Sequence, residues 1–240
     1  MVYPEKRRSF IEVMKALLAI FDFILPRFCP SCKKKLSIEE IFICESCRNT
    51  FIYSDEKLLQ AEYERKFSGS KIIADFFPLL IFEKDSPLQS IIHQVKYQKK
   101  FLLAFELGRM LGVSLKEKKT DWTIDLIFPV PLHSLKKAER GFNQSFYIAK
   151  GIGKVTGFPV SQSILKRKRY TESQTKKNMI ERAENMAEAF SVWKPNKIIG
   201  KNILLVDDVL TTGATIRECG KVLKASGAAN IYAASIALAE

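Results

Sequence analysis

The chain has 240 residues, 47% hydrophobic and 11% aromatic, with 11 glycines and 9 prolines. That composition excludes disordered, collagen-like and low-complexity classes, and at about 100–200 residues per domain the length fits one large domain, or a medium domain with a small appendage. Lysine and arginine number 39 against 26 acids, and the net charge of +13 favours an anionic partner: nucleic acid, a phosphorylated metabolite or an acidic membrane surface.

In chain order, residues 8–25 come first. Ile11, Met14, Leu17, Leu18, Phe21, Ile24 and Leu25 are spaced for one helical face, which predicts an amphipathic helix in an N-terminal unit, 1–26. Such a helix packs on its own domain or a partner. Lys6, Arg7, Arg8 and Lys15 also suit it to a membrane surface. The apolar run 16–21 is bracketed by Lys15 and Asp22, too short to span a bilayer and unlike a secretory signal, so the expectation is a cytoplasmic protein with at most a peripheral contact on the inner face of the membrane.

Residues 27–52 form a second unit. Cys29 and Cys32 make one CxxC pair, Cys44 and Cys47 another, with eleven residues between the pairs. Two such knuckles can present four thiolates tetrahedrally, the arrangement that suits a structural zinc ion. With four sulfur ligands no position is left for water, so the predicted role is structural and not catalytic. Lys33, Lys34, Lys35, Glu45 and Arg48 surround the pairs, and a segment this polar needs the metal for its folding free energy. The polar stretch 53–71 reads as a linker. Cys219, alone in a helical pattern, reads as an inert core residue.

From residue 72 to 240 short apolar runs alternate with helical patterns. Strands are predicted at 76–82, 124–130, 203–206 and 231–237, and helices at 87–97, 101–115, 144–156 and 215–226. Buried-type strands alternating with helices predict an α/β fold, a mostly parallel sheet flanked by helices. Charge is uneven along the chain: residues 76–200 carry 22 basic and 11 acidic groups, whereas 201–240 carry 4 of each. The densest basic run is Lys166-Arg167-Lys168-Arg169, followed by Lys176 and Lys177 in a stretch without apolar periodicity, which predicts a basic loop.

Two loops carry the chemistry. The strand ending Val206-Asp207-Asp208 runs through Val209 and Leu210 into Thr211-Thr212-Gly213-Ala214-Thr215 and a helix. Backbone N–H groups at a helix N-terminus, with hydroxyls, make a nest for a phosphate, and two acids at a strand's carboxyl end can accept hydrogen bonds from vicinal sugar hydroxyls. After the strand ending Pro129-Val130-Pro131, His133, Lys136, Lys137 and Arg140 precede Gly141-Phe142-Asn143-Gln144. Charge-assisted bonds from this loop suit pyrophosphate and its Mg²⁺.

The 207–215 loop closely resembles the phosphoribosyl pyrophosphate (PRPP) motif of type I phosphoribosyltransferases. The resemblance implies that Asp207 and Asp208 bind the ribose hydroxyls, with Val209 between them and a phosphate cradle of Thr211, Thr212, Gly213, Ala214 and Thr215. Taken with the cysteine unit, Ile92-His93-Gln94-Val95-Lys96-Tyr97, Arg140-Gly141-Phe142-Asn143-Gln144, Gln174 and 182–190, the order and spacing resemble the ComF competence family from about residue 27 onward.

That resemblance implies a type I phosphoribosyltransferase fold with an N-terminal zinc finger, a role in handling single-stranded DNA during natural transformation, and a DNA translocase-type helicase as partner. It also puts Lys166, Arg167, Lys168 and Arg169 where such enzymes carry a mobile catalytic loop, facing pyrophosphate or nucleic-acid phosphates. The alternative expectation is an active phosphoribosyltransferase of nucleotide salvage. Tyr170 and Trp193 stand near the basic groups as stacking candidates, although a core or surface role is the simpler expectation for each.

Overall fold

The computed structural model describes residues 22–167 and 189–239. Of the predicted helix 8–25 only 22–25 fall within the described residues; 22–24 are helical, and Phe23, Ile24 and Leu25 are exposed. Lys168, Arg169, Tyr170, Gln174, Lys176, Lys177 and 182–188 lie outside the described residues.

Four parallel strands form the main sheet in the order β1-β6-β5-β2: β1 (Asp75–Ile81), β2 (Leu126–Pro129), β5 (Ile203–Leu210) and β6 (Ile231–Leu238). Val160 bridges Ile127 in parallel on the free side of β2. A separate antiparallel pair joins β3 (Leu165–Arg167) to β4 (Phe190–Val192). The helices are α1 (Glu45–Arg48), α2 (Glu56–Lys66), α3 (Pro87–Tyr97), α4 (Phe101–Lys118), α5 (Ser134–Arg140), α6 (Gln144–Thr156) and α7 (Ala214–Ala225).

Chain direction decides which face each helix covers. The crossovers from β1 to β2 and from β2 to Val160 advance the same way across the sheet, so right-handed connections put α4 and α6 on one face. The step from β5 to β6 runs back and carries α7 to the other. Ile203, Leu204, Leu205 and Val206 are all buried, as a strand covered on both faces requires. Where α4 and α6 cross, their backbones nearly touch: a Cβ on Gly108 would collide with the Ile148 carbonyl, and one on Gly151 with the Phe105 carbonyl.

The strands lie where the apolar runs predict them. β5 is longer than expected, continuing through Leu210 with Asp207 opposite Ser235 and Val209 opposite Ala237, so the acid pair belongs to the strand itself. Helices α3 and α6 have the predicted ends because their caps are local. The Ser86 hydroxyl accepts from Gln89 N–H at 3.3 Å ahead of Pro87, and Asn143 Oδ1 accepts from Ser145 N–H at 3.0 Å.

Within 53–71, read as a linker, the chain forms α2. Its polarity misled the reading: Glu62 and Lys66, residues that normally signal solvent, are buried here as an ion pair of 2.9 Å. Cys219 is buried in α7 as expected, and burial holds its thiol well above the ordinary range.

Candidate functional site

Because β5 and β2 are neighbours in a parallel sheet, the loops after their carboxyl ends are also neighbours, at the edge where α/β ligand sites form. Asp207 and Asp208 stand at this end of β5. Asp207 Oδ1 accepts from the Ser145 hydroxyl at 2.9 Å and from the Asp208 N–H at 2.9 Å. Asp208 Oδ1 accepts from Val209 N–H at 2.8 Å, while its Oδ2 takes Gln144 Nε2 at 3.2 Å and Lys96 Nζ at 3.2 Å. The N-terminus of α6 and the last turn of α3 thus converge on the pair. Lys96 and Gln144 stand in motifs singled out from the sequence, but neither contact was expected.

Two adjacent carboxylates in so enclosed a place cannot both ionise freely. Burial, then the charge of Asp208, raises Asp207 to about 7, against the pull of the Asp208 N–H, the Ser145 hydroxyl and Lys96. Near neutrality Asp207 is therefore about half protonated.

Thr211 and Thr212 are exposed and Gly213 is buried. Gly213 has φ +72, and a Cβ there would meet the Phe67 ring at 2.9 Å, so the tightness of the loop requires glycine. The support behind the loop comes from α2, the segment read as a linker. Lys66 Nζ donates to the Thr211 carbonyl, and Arg217 Nη1 donates to the carbonyls of Lys66 at 2.6 Å and Thr212 at 2.9 Å. These bonds hold the loop's peptide carbonyls, and at the first turn of α7 the Ala214 N–H donates to the Thr212 hydroxyl at 3.4 Å. No sequence signal marks Lys66 or Phe67 for this task, since periodicity sees only their own helix.

The neighbouring loop divides its predicted residues. His133 caps α5, its Nδ1 accepting from Leu135 N–H at 3.3 Å, a structural role. Lys136 and Lys137 are exposed. Arg140 is buried at 7% exposure, with its guanidinium 5.3 Å from the centre of the Tyr97 ring and its Nε without a partner. Gln144 Oε1 is likewise buried and unpartnered. Unpaired buried polar atoms are costly, and two of them lie on the chain where it leads into the acid pair. Lys166 and Arg167 sit apart in β3: Lys166 is exposed, and the Arg167 guanidinium lies 5.3 Å over the Phe190 ring.

The cysteines converge as their spacing predicts. The sulfur atoms of Cys29, Cys32, Cys44 and Cys47 all lie within 4.8 Å of one another, with Cys32 Sγ 3.5 Å from Cys44 Sγ. A tetrahedral ion with bonds of about 2.3 Å needs sulfurs about 3.8 Å apart, so the donor set fits a metal such as zinc. Burial and the adjacent thiols push Cys47 up to about 12, while at Cys29 burial is outweighed by N–H donors of Cys44, Cys32 and Ser31, bringing it to about 7. The unit is tied to the sheet domain by Gln94 of α3, whose Nε2 donates to the Pro30 carbonyl, and by residues 52–54, which pair with the outer side of β1.

The family described as Phosphoribosyl transferase domain matches residues 143–239, from the cap of α6 to the end of β6. Competence protein F of Haemophilus influenzae is 27% identical over 223 residues, covering 88% of this chain and 96% of that protein. Competence protein ComFC of Streptococcus pneumoniae is 27% identical over 233 residues, covering 94% and 96% respectively. DNA utilization protein YhgH of Salmonella typhi is 32% identical over 148 residues, 60% of this chain and 64% of that relative, a little under two thirds of its length. With the parallel sheet, the acid pair before the Thr-Gly loop and the four-cysteine cluster, these likenesses make the chain similar to the competence proteins F and ComFC, with a phosphoribosyl transferase domain over 143–239 on a type I phosphoribosyltransferase fold.

Proposed function

We propose that the protein serves natural transformation by handling single-stranded DNA on the cytoplasmic side, and that its sheet edge binds PRPP. The observation that carries the ligand site is the pair Asp207 and Asp208 at the end of β5 ahead of the Thr211–Thr215 loop and the N-terminus of α7, with Arg140 buried and its Nε unpartnered on the neighbouring loop. In this reading the two carboxylates accept the vicinal ribose hydroxyls, and the N–H groups and hydroxyls of Thr211, Thr212, Gly213, Ala214 and Thr215 hold the 5′-phosphate. Arg140, with Lys136 and His133 on the same loop, faces the pyrophosphate. Mg²⁺, when bound, neutralises the pyrophosphate oxygens. Lys96 and Ser145 keep the acids oriented, and Arg217 and Lys66 keep the loop open. Zinc in the cysteine unit is structural.

The DNA role is supported by two relatives named as competence proteins that align along nearly their whole length, and by a basic excess concentrated in 76–200. Phosphate neutralisation would supply the affinity, which therefore falls steeply with salt. A helicase-type translocase as partner, a peripheral membrane contact and Lys166–Arg169 as pyrophosphate or DNA ligands belong to the same reading.

The test measures PRPP with Mg²⁺ and a single-stranded oligonucleotide on one preparation, separately and together, over a range of salt. PRPP binding that is lost in Asp207→Ala/Asp208→Ala, with salt-sensitive DNA binding retained, is the expected result. Equal PRPP binding by both proteins removes the ligand site, and absence of DNA binding at low salt removes the DNA role.

A further inference from the structure

The proposed DNA role leaves open where a strand would lie, and the antiparallel β3–β4 pair bears on it. Its register sets Lys166 opposite Ser191 and Arg167 opposite Phe190. Leu165 and Phe190 are buried and Lys166 is exposed, the alternation of a ribbon with one wet face. Just past β4 the Trp193 N–H donates to the Ile164 carbonyl at 2.7 Å, which fixes the backbone of a tryptophan whose surface is 65% exposed. Lys194 follows at φ +62, a left-handed conformation unusual for a side-chain-bearing residue, and turns the chain into a short 3₁₀ segment, Pro195–Lys197. The turn brings Lys194 and Lys197 to the rim of a surface cleft of about 430 Å³ that also has Lys166, Trp193, Ile164 and the hydroxyls of Ser161 and Ser163 on its walls.

No carboxylate lines this cleft, and among the described residues none of its three lysines has an acidic partner. The contrast with the exposed apolar patch near the cysteine unit is informative. There Arg27 is held by Asp22 at 2.6 Å and Lys33 Nζ by the Pro30 carbonyl at 2.9 Å, so two of the cations are already engaged. Around Trp193 the cations are available, and they surround a flat aromatic face. A plane for a base and several separated ammonium groups for successive phosphates is the donor set of a single-strand nucleic-acid platform. A duplex would hide its base faces from Trp193, and an acidic peptide would have no use for the ring.

We infer that Trp193, with Lys166, Lys194 and Lys197, forms a stacking platform for single-stranded DNA, separate from the sheet-edge site. This rests on the DNA role proposed above. Its consequence is that base stacking and phosphate contact at this cleft can be removed without touching the PRPP loop.

The experiment titrates the full-length protein with an oligothymidine while following tryptophan fluorescence and, independently, anisotropy of a labelled strand. The other tryptophan, Trp122, is 8% exposed and stacked on Tyr232 at 4.7 Å, so quenching reports Trp193. Trp193→Ala should weaken strand binding about tenfold, and Trp193→Phe, which keeps an aromatic face, should restore most of it. Replacing Lys194 and Lys197 together by alanine should lower the magnitude of the salt slope by about 1.4. PRPP binding should stay unchanged in all these variants, which certifies their folding. Equal strand affinity in wild type and Trp193→Ala, with an unchanged salt slope in the lysine variant, overturns the platform while leaving the DNA role intact. Quenching by a mononucleotide as strong as by the strand also overturns it, since the cleft is then a small-molecule pocket. A wild-type protein that binds no strand at any salt takes the DNA role down with it.

Discussion

The four-cysteine unit and the carboxyl edge of the sheet both concentrate groups that repel or destabilise one another, yet they resolve the conflict in opposite ways. At the sheet edge the protein supplies its own compensation: Asp207 and Asp208 are bonded by Ser145, Gln144, Lys96 and two backbone N–H groups. At the cysteines four sulfur atoms crowd within 4.8 Å, and the bonds they receive come from N–H groups and from one another. One region is ordered first and then able to bind. The other gathers four sulfur donors that a metal ion would satisfy.

Removing the metal should therefore have the largest effect. Cys44→Ser, or a strong chelator, should unfold the 27–52 unit, since zinc-finger peptides draw about 10–16 kcal/mol of apparent free energy from the ion. Zinc content and limited proteolysis report it, with cleavage confined to the N-terminal unit and the sheet domain persisting. A unit that stays protease-resistant without metal would erase the contrast.

At the sheet edge the corresponding perturbation is pH. The folded Asp207 has its pKa raised above the unfolded value, so the folded state binds the extra proton between about pH 4 and pH 7, and stability falls as pH rises through that window. Asp207→Asn removes the titration while keeping an acceptor for Ser145. Urea unfolding should show the variant more stable than wild type by about 2 kcal/mol at pH 8 and nearly equal at pH 4, with PRPP binding lost. Parallel pH profiles for the two proteins would mean that the pair is not under strain.

A smaller effect is expected at the loop. Gly213→Ala forces a Cβ into the left-handed region, at about 1–2 kcal/mol, and against the Phe67 ring. Its midpoint in urea should drop modestly, while PRPP affinity falls by more than the stability loss explains, because the loop alone is displaced. Unchanged affinity would show that α2 does not govern the loop.

Much of this was legible in the sequence because the decisive signals are local. The CxxC pairs, the capped starts of α3 and α6, and the run from Val206 through Thr215 each act within a few residues. What escaped was produced by distant partners. Glu62 and Lys66 look like a solvated helix face until Lys66 is seen to reach Thr211 and Arg217 to reach back to Lys66. Lys96 and Gln144 appear in recognisable motifs, but their convergence on Asp208 depends on how α3 and α6 approach β5, which no periodicity encodes. His133 shows the converse: a residue type that suggests chemistry is used to cap a short helix.

The pairing of residues 52–54 with β1 has a further consequence. Ile52 and Ser54 exchange backbone hydrogen bonds with Ile81 and Leu79, so the stretch that leaves the cysteine unit closes an otherwise open border of the sheet. An uncovered parallel strand rich in Phe76, Phe77, Leu79 and Leu80 is a template for another chain's strand. Residues 52–54 remove that template, and the cysteine unit from which they emerge holds one end of the cover in place.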